Sequence, residues 1–262
     1  MLARDNPIMI QARVISALVL RDMHSRFGRT FFGTLIIVAW PLSHLLFLMC
    51  LYIVARRVVL VGTDSAVFFG TGLLPYILCF YPARWIMFSV VQNRSLLGLP
   101  IVKVSDIILA RSIVEITAAF WVTCIFILIL FLFGVNAFPR RPNDAMMAIL
   151  ATVYLAFAIG WTAAVLYALV RAWMGIQILI LIVMYFTSGV FFIPMNLPAQ
   201  LRNILWFNPL LHSVEWLRSA YYDGYGYGLL SKSYLFWSAT VILFIGLAAE
   251  RLLRGRLMIQ SA

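Results

Sequence analysis

Charge is scarce in this chain. Only 11% of its 262 residues are Asp, Glu, Lys or Arg, and nine are acidic. That is too little polar surface for a domain facing water on all sides. Cysteine is rarer still: Cys50, Cys79 and Cys124 lie far apart inside apolar runs, which excludes a CxxC pair and suits small core residues. The three histidines, His24, His44 and His212, are scattered, and neither HExxH nor GxSxG occurs. A phosphate-cradling G-x-x-x-x-G-K-[ST] is missing too, because Ser231 stands where the glycine before Lys232-Ser233 is required. No catalytic residue and no metal ligand is assigned, and any uphill work must draw on ATP hydrolysed by another chain. Arg4, Asp5 and Arg13 precede a first apolar run of span length, so no cleavable leader is expected.

What the chain has is apolar: 64% hydrophobic residues and a mean hydropathy of +1.00. In lipid an unpaired backbone amide finds no water, so only helices or closed barrels cross it. The apolar runs are long and do not alternate, which is the helical solution. The net charge of +11 then fits anionic head groups on the cytoplasmic side better than nucleic acid. One membrane domain is expected over residues 1–262, with 1–30 an interfacial helix, 31–253 a six-span bundle and 254–262 a cytoplasmic tail. The fold class is therefore an all-α membrane protein.

Asn6-Pro7 reads as a cap followed by proline at the first helical position. The segment to about residue 27 mixes Ile8, Ile10, Val14, Ile15, Leu18 and Val19 with Arg13, Arg21, Asp22 and Arg26, as a helix lying in the interface would. Asp22 and Arg26 are spaced to pair on it. Six apolar runs follow, at about 31–55, 66–91, 104–133, 145–170, 173–193 and 234–253, each long enough for a span. Pro41 predicts a kink in the first. With both termini in the cytoplasm, twelve Lys and Arg fall inside, Arg94, Lys103 and Arg111 among them. Seven fall outside, including Arg140, Arg141, Arg202, Arg218 and Lys232, and Arg84 is left within a span. The bias supports that orientation.

Three stretches carry functional information. The cytoplasmic link at 92–106 is apolar in its middle and broken by Gly98 and Pro100. It is either a short surface helix offering a docking knob or a loop tethered by Leu96, Leu97 and Ile101. The stretch at 195–232 is too long for an unstructured loop. Pro198 and Pro209 mark helix starts there, with Leu210, Val214, Leu217 and Tyr221 at helical spacing. His212, Glu215, Arg218 and Ser219 carry the polar character, Glu215 and Arg218 being spaced to pair. Two short helices dipping back into the outer leaflet between spans five and six account for this, and an aromatic Gly-rich tract at 223–228 follows. The second span crowds Phe68, Phe69, Tyr76, Phe80, Tyr81, Trp85 and Phe88 around Pro75, Pro82 and Arg84. Rings beside a cation suit a passing sugar chain. Alternatively Arg84 snorkels or pairs with Glu115 in the third span. Glu115 and Arg84 are the charges placed well inside spans, a thin basis for the alternative reading as an intramembrane glycosyl- or acyltransferase, which needs an acid, base or metal cluster at one depth.

In order, these stretches resemble the membrane subunits of type-2 ABC exporters that move capsular polysaccharide and O-antigen. LRDMHSRFG at 20–28, then Gly33 and Trp40-Pro41, resembles the start of that family's first span. NRSLLGLPIVKVSDIILAR at 93–111 resembles its coupling region. SGVFFIPMNLP at 188–198 and FNPLLHSVEWLRSAYYDGY at 207–225 resemble the exit end of its fifth span and the re-entrant segment. The resemblance covers the whole chain; Ile36-Ile37-Val38-Ala39 is less aromatic than the pattern.

It implies a homodimer joined to two copies of a separate ATPase, on which ATP and Mg reside, leaving no cofactor in this chain. Arg21, Asp22, Arg26, Arg94, Leu97, Pro100 and Lys103 would touch that ATPase. A glycan, lipid-linked or free, would thread a channel at the dimer centre, for which Tyr76, Phe80, Tyr81, Arg84, Trp85 and Phe88 are candidates. Pro209, His212, Glu215 and Arg218 mark the re-entrant segment. The implied location is the bacterial cytoplasmic membrane, with periplasmic export components as further partners. O-antigen or a teichoic-acid-like polymer would use the same architecture.

Overall fold

The computed structural model describes residues 7–27, 31–55, 62, 64–225 and 228–259, without the side chains of 7, 25–27, 31–35 and 257–259. Among the described residues ten α-helices follow one another: α1 (Pro7–Phe27), α2 (Phe31–Val54), α3 (Ser65–Met87), α4 (Ser89–Gln92), α5 (Val104–Leu132), α6 (Pro142–Leu169), α7 (Trp173–Phe186), α8 (Ala199–Leu205), α9 (Pro209–Tyr221) and α10 (Lys232–Ile259). Single 3-10 turns lie at Arg94–Gly98 and Pro194–Asn196, and no strand occurs among the described residues.

Local chemistry sets several of the starts. Asp64 caps α3, its carboxylate accepting from Ala66 N at 3.0 Å. Pro142 opens α6 and Pro209 opens α9, where a missing N–H costs nothing. Asp106, in the first turn of α5, accepts from Lys103 N at 3.0 Å. The predicted cap at Asn6 lies outside the described residues. α2 runs on through Pro41 as one helix.

α3 is the axis of the bundle. Nearly all its side chains are buried, packed against α2, α5, α6, α7 and α9. Between α3 and α6 the backbones come close at Gly160, where a Cβ would stand 2.8 Å from Ile86 Cβ and 3.2 Å from Ala83 Cα. α6 and α10 are as close at Gly246, and Thr162 Oγ1 donates across to Ile242 O at 2.8 Å. Small residues and a hydroxyl at a helix crossing are the usual adhesive where lipid removes the hydrophobic drive between helices.

Among the described residues five helices have the length and hydropathy to cross a membrane: α3, α5, α6, α10 and α2 from Ile36. The run at 173–193 does not form one long span. α7 has 14 residues, about 21 Å of helix against a hydrocarbon core of about 30 Å. It stops where Gly189 adopts φ +82° and Asn208 and Arg218 bond the carbonyls of Met184, Gly189 and Val190. The remaining apolar residues, Val190 and Ile193 among them, enter the core as irregular chain. At the other end, α10 extends helically through the expected tail as far as Ile259.

The stretch at 195–232 does fold into two short helices, α8 and α9, both beginning where proline predicted. α9 packs against α3, α6 and α10, and every residue from Leu210 to Ala220 is buried. Asn208 caps it, accepting from Leu210 N at 2.9 Å, while its Nδ2 donates to Met184 O and Thr187 Oγ1, both at 2.8 Å. One side chain thus starts α9 and fastens it to the end of α7.

Candidate functional site

The predicted coupling residues gather at one end of the bundle, where α1 lies against α5 and the link after α4. Leu18, backed by Val14, Ile15 and Val19, packs with Val90, Leu97, Ile107, Ile108 and Trp161. Four polar pairs flank this seam. Gln11 Nε2 donates to Asp106 Oδ1, and Lys103 Nζ donates to Gln11 Oε1 at 3.3 Å. Arg21 donates to Asn93 Oδ1. Asp22 accepts twice from Arg111 Nη1, at 2.8 and 2.6 Å.

Arg111 is the centre of this end. It is 1% exposed and also meets Glu115 at 3.2 Å and Gln92 Oε1 at 3.2 Å. A guanidinium has five donors in a fixed plane, so one arginine can hold groups on α1, α4 and α5 at once. The charge count assigned Arg111 to the cytoplasmic side without giving it a partner; in the structure it is buried between Asp22 and Glu115. The suggested Arg84–Glu115 pair is likewise replaced by Arg111–Glu115, four residues apart on one helix. The Arg26 side chain, proposed to pair with Asp22, lies outside the described residues.

The link itself divides into an inner and an outer face. Leu97 and Val102 are buried, whereas Leu99, Pro100, Ile101 and Lys103 are exposed. Leu97 is therefore an anchor and not part of the outer surface. Arg94 turns inward as well, donating to Ala168 O at 3.0 Å near the C-terminal end of α6, where a cation meets the negative end of the helix dipole.

A second buried cation lies at the opposite end of α3. Arg218 of α9 is fully buried, donating from Nη1 to Gly189 O at 2.6 Å and from Nη2 to Val190 O at 2.9 Å, over the ring of Phe68 at 4.3 Å. The chain after α7 thus has its carbonyls satisfied by α9. Gly72 leaves the space: a Cβ there would stand 2.7 Å from Nη2. Glu215 and Arg218 share an environment without a direct ion pair among the described contacts. Tyr225 connects them, donating to Glu215 Oε1 at 2.7 Å and lying 3.5 Å from Arg218 Nη1. His212, also buried, has Nε2 at 2.9 Å from Trp206 O and accepts at Nδ1 from Ser231 N at 3.2 Å. Of the aromatic Gly-rich tract, residues 226–227 lie outside the described residues.

The aromatic set on α3 is largely internal. Tyr76, Phe80 and Tyr81 are 5%, 9% and 7% exposed. Tyr76 stacks on Tyr185 of α7 at 3.9 Å, and His44 of α2 meets Tyr81 OH at 3.0 Å. As folded, the chain closes over these three rings because α3 is its axis. Arg84, Trp85 and Phe88 are the half-buried members. Arg84 lies 5.9 Å from the Phe80 ring, and its Nε has no hydrogen-bond partner among the described residues.

Comparison with known proteins bears on what such a bundle does. The family model described as ABC-2 type transporter matches residues 13–222, from within α1 to the end of α9. The chain belongs to this family. Its relatives include the polysialic acid transport protein KpsM of Escherichia coli, 27% identical over 242 residues that span 92% of this chain and 94% of KpsM. The capsule polysaccharide export inner-membrane proteins BexB of Haemophilus influenzae and CtrC of Neisseria meningitidis are each 28% identical, over 92% of this chain and 91% of their own.

Within this ABC-2 chain, the sequence pointed to Asp22 and Glu115 of the first buried cluster and to Glu215 and Arg218 of the second, but not to the contacts that join them. The i,i+4 spacing of Arg111 and Glu115 was a usable signal for the first. Nothing in the sequence ties Asp22 to a residue 89 positions away, or Gly72 and Tyr225 to Arg218.

Proposed function

We propose that this chain is the permease subunit of an ATP-driven exporter that carries a capsular polysaccharide across the bacterial cytoplasmic membrane. The observation that carries the reading is the end-to-end likeness to relatives named for capsule polysaccharide export. In this reading α7, with the irregular chain after it, serves as the sixth crossing, both termini are cytoplasmic, and α8 and α9 re-enter the outer leaflet. Two copies assemble with two ATPase subunits that bind ATP and Mg, and the glycan passes between the copies.

The exposed ridge of Leu99, Pro100, Ile101 and Lys103 is the surface on which the ATPase seats. Apolar side chains standing out of a link held from behind by Leu97, Asn93 and Arg94 support that role, since a rigid lever must be anchored on its inner side. Leu99→Asp with Ile101→Asp is expected to lower co-purification of the ATPase at least about tenfold while leaving the chain's membrane level near wild type. Unchanged co-purification would remove the ridge from the interface. Leu97→Asp, by contrast, should lower the amount of folded chain, since it buries a carboxylate.

The reading as a whole is tested by reconstituting the chain with its ATPase in vesicles and measuring ATP hydrolysis against capsular glycan, O-antigen and teichoic-acid-like polymers. Stimulation by capsular glycan is expected. Stimulation by another polymer alone would reassign the cargo, and turnover of a lipid-linked sugar by this chain without its partner would make it an enzyme.

A further inference from the structure

A gap lies between the second half of α5, the loop after it and the start of α6. The gap is a groove of about 1030 Å³, with Ile116, Phe120, Ile127 and Phe131 on one wall and Met146 and Leu150 on the other. From Ile116 to Phe131 it runs about 22 Å, more than the about 15 Å of one leaflet's hydrocarbon. Polar groups on it are few: Thr123 Oγ1 is turned onto Ala119 O at 2.9 Å, and Asn136 lies in the connecting loop.

Charge appears at one end. Arg140 and Arg141 sit between Pro139 and Pro142, both part of the groove wall. The Arg140 side chain is 67% exposed and meets Asp223; that of Arg141 is 44% exposed, 3.5 Å from Asp144. Asp144 also binds Lys232 at 2.7 Å, so three cations meet two carboxylates and the rim keeps an excess positive charge.

We propose that this groove is a binding site for one anionic phospholipid, its acyl chains along the α5–α6 walls and its phosphate at Arg140 and Arg141. A long apolar slot headed by exposed guanidinium groups matches acyl chains beneath a phosphate, since arginine meets phosphate through paired donors. A second copy of the chain would fill the slot without using the rim charge. The proposal rests on α5 and α6 crossing a membrane and not on the cargo.

Full-length chain, purified and stripped of lipid, is incubated with phosphatidylglycerol or phosphatidylcholine and examined by native mass spectrometry. One phosphatidylglycerol per chain is expected to survive, with about tenfold preference over phosphatidylcholine. Arg140→Gln with Arg141→Gln should abolish the preference, and Ile127→Trp, which fills the groove, should abolish retention of both lipids. Cys124 lies exposed in the groove, so in a Cys50→Ser background its alkylation should slow when phosphatidylglycerol is added, a readout independent of the other variants. Equal retention of the two lipids by the unaltered rim would overturn the site. So would a Cys124–Cys124 crosslink formed in native membranes, which would place a second copy there. Neither result bears on the export assay.

Discussion

Replacing Arg111 with methionine is expected to remove most of the folded chain from the membrane. The substitution keeps the side-chain volume but deletes the cation between Asp22 and Glu115, which are 8% and 3% exposed. Removing one partner of a buried ion pair costs about 3–5 kcal/mol, a large part of the about 5–15 kcal/mol by which a typical domain is stable. The second half of the prediction makes it specific. Adding Asp22→Asn and Glu115→Gln to Arg111→Met should recover much of the loss, because amides do not carry the desolvation penalty of carboxylates. Thermal unfolding of the solubilised chain, followed by size-exclusion, reads both steps. Were Arg111→Met as stable as wild type, or the triple variant no better than the single, the cluster would not be what fastens α1 to α5. With the fastening intact, the triple variant also asks a transport question. It should fold yet couple poorly if the ion cluster, and not the apolar seam alone, passes motion from α1 to α5.

Arg218 should be as demanding, in a different way. Its guanidinium serves the carbonyls of Gly189 and Val190, with that of Phe192 at 3.4 Å, so Arg218→Met strands buried acceptors and should cost about 3–5 kcal/mol. Arg218→Lys keeps the charge but replaces a planar fork by a single point that cannot reach two separated carbonyls. A loss of about 1–3 kcal/mol is expected for it. Gly72→Ala attacks the same contact from α3 without touching a charge, since its Cβ would stand 2.7 Å from Nη2 and 3.3 Å from Val190 Cα. All three variants should speed hydrogen exchange at 187–193 more than in α6, which is the mark of losing the tie after α7. A lysine as stable as the arginine would mean that charge alone matters there.

Which parts of the architecture were readable depended on how local their causes are. The helix from Pro7, the five long helices and the helical start at Pro209 follow from apolar run length, proline placement and capping, all of which act within a turn or two. The run at 173–193 was overread for a definite reason. Composition stays apolar through Val190 and Ile193, but the helix stops at Phe186 because Asn208 and Arg218, 24 and 28–29 residues further on, take up the carbonyls a longer helix would have used. Apolar content tells that a residue is buried; it does not tell whether its backbone is bonded to its own helix or to a distant arginine.

The aromatic set on α3 shows the same division. Its place on an apolar helix was legible, but whether Tyr76 and Tyr81 face outward or inward turns on where α2 and α7 lie. By itself the chain determined its apolar solvent and its helical class, because hydropathy and the length of apolar runs are properties of composition. Tertiary structure alone decided that Arg111 and Arg218 are internal fasteners and that Leu99 and Ile101, not Leu97, stand outward. A buried charge is tolerable only where distant chain segments bring it partners, and no local pattern records which segments those are.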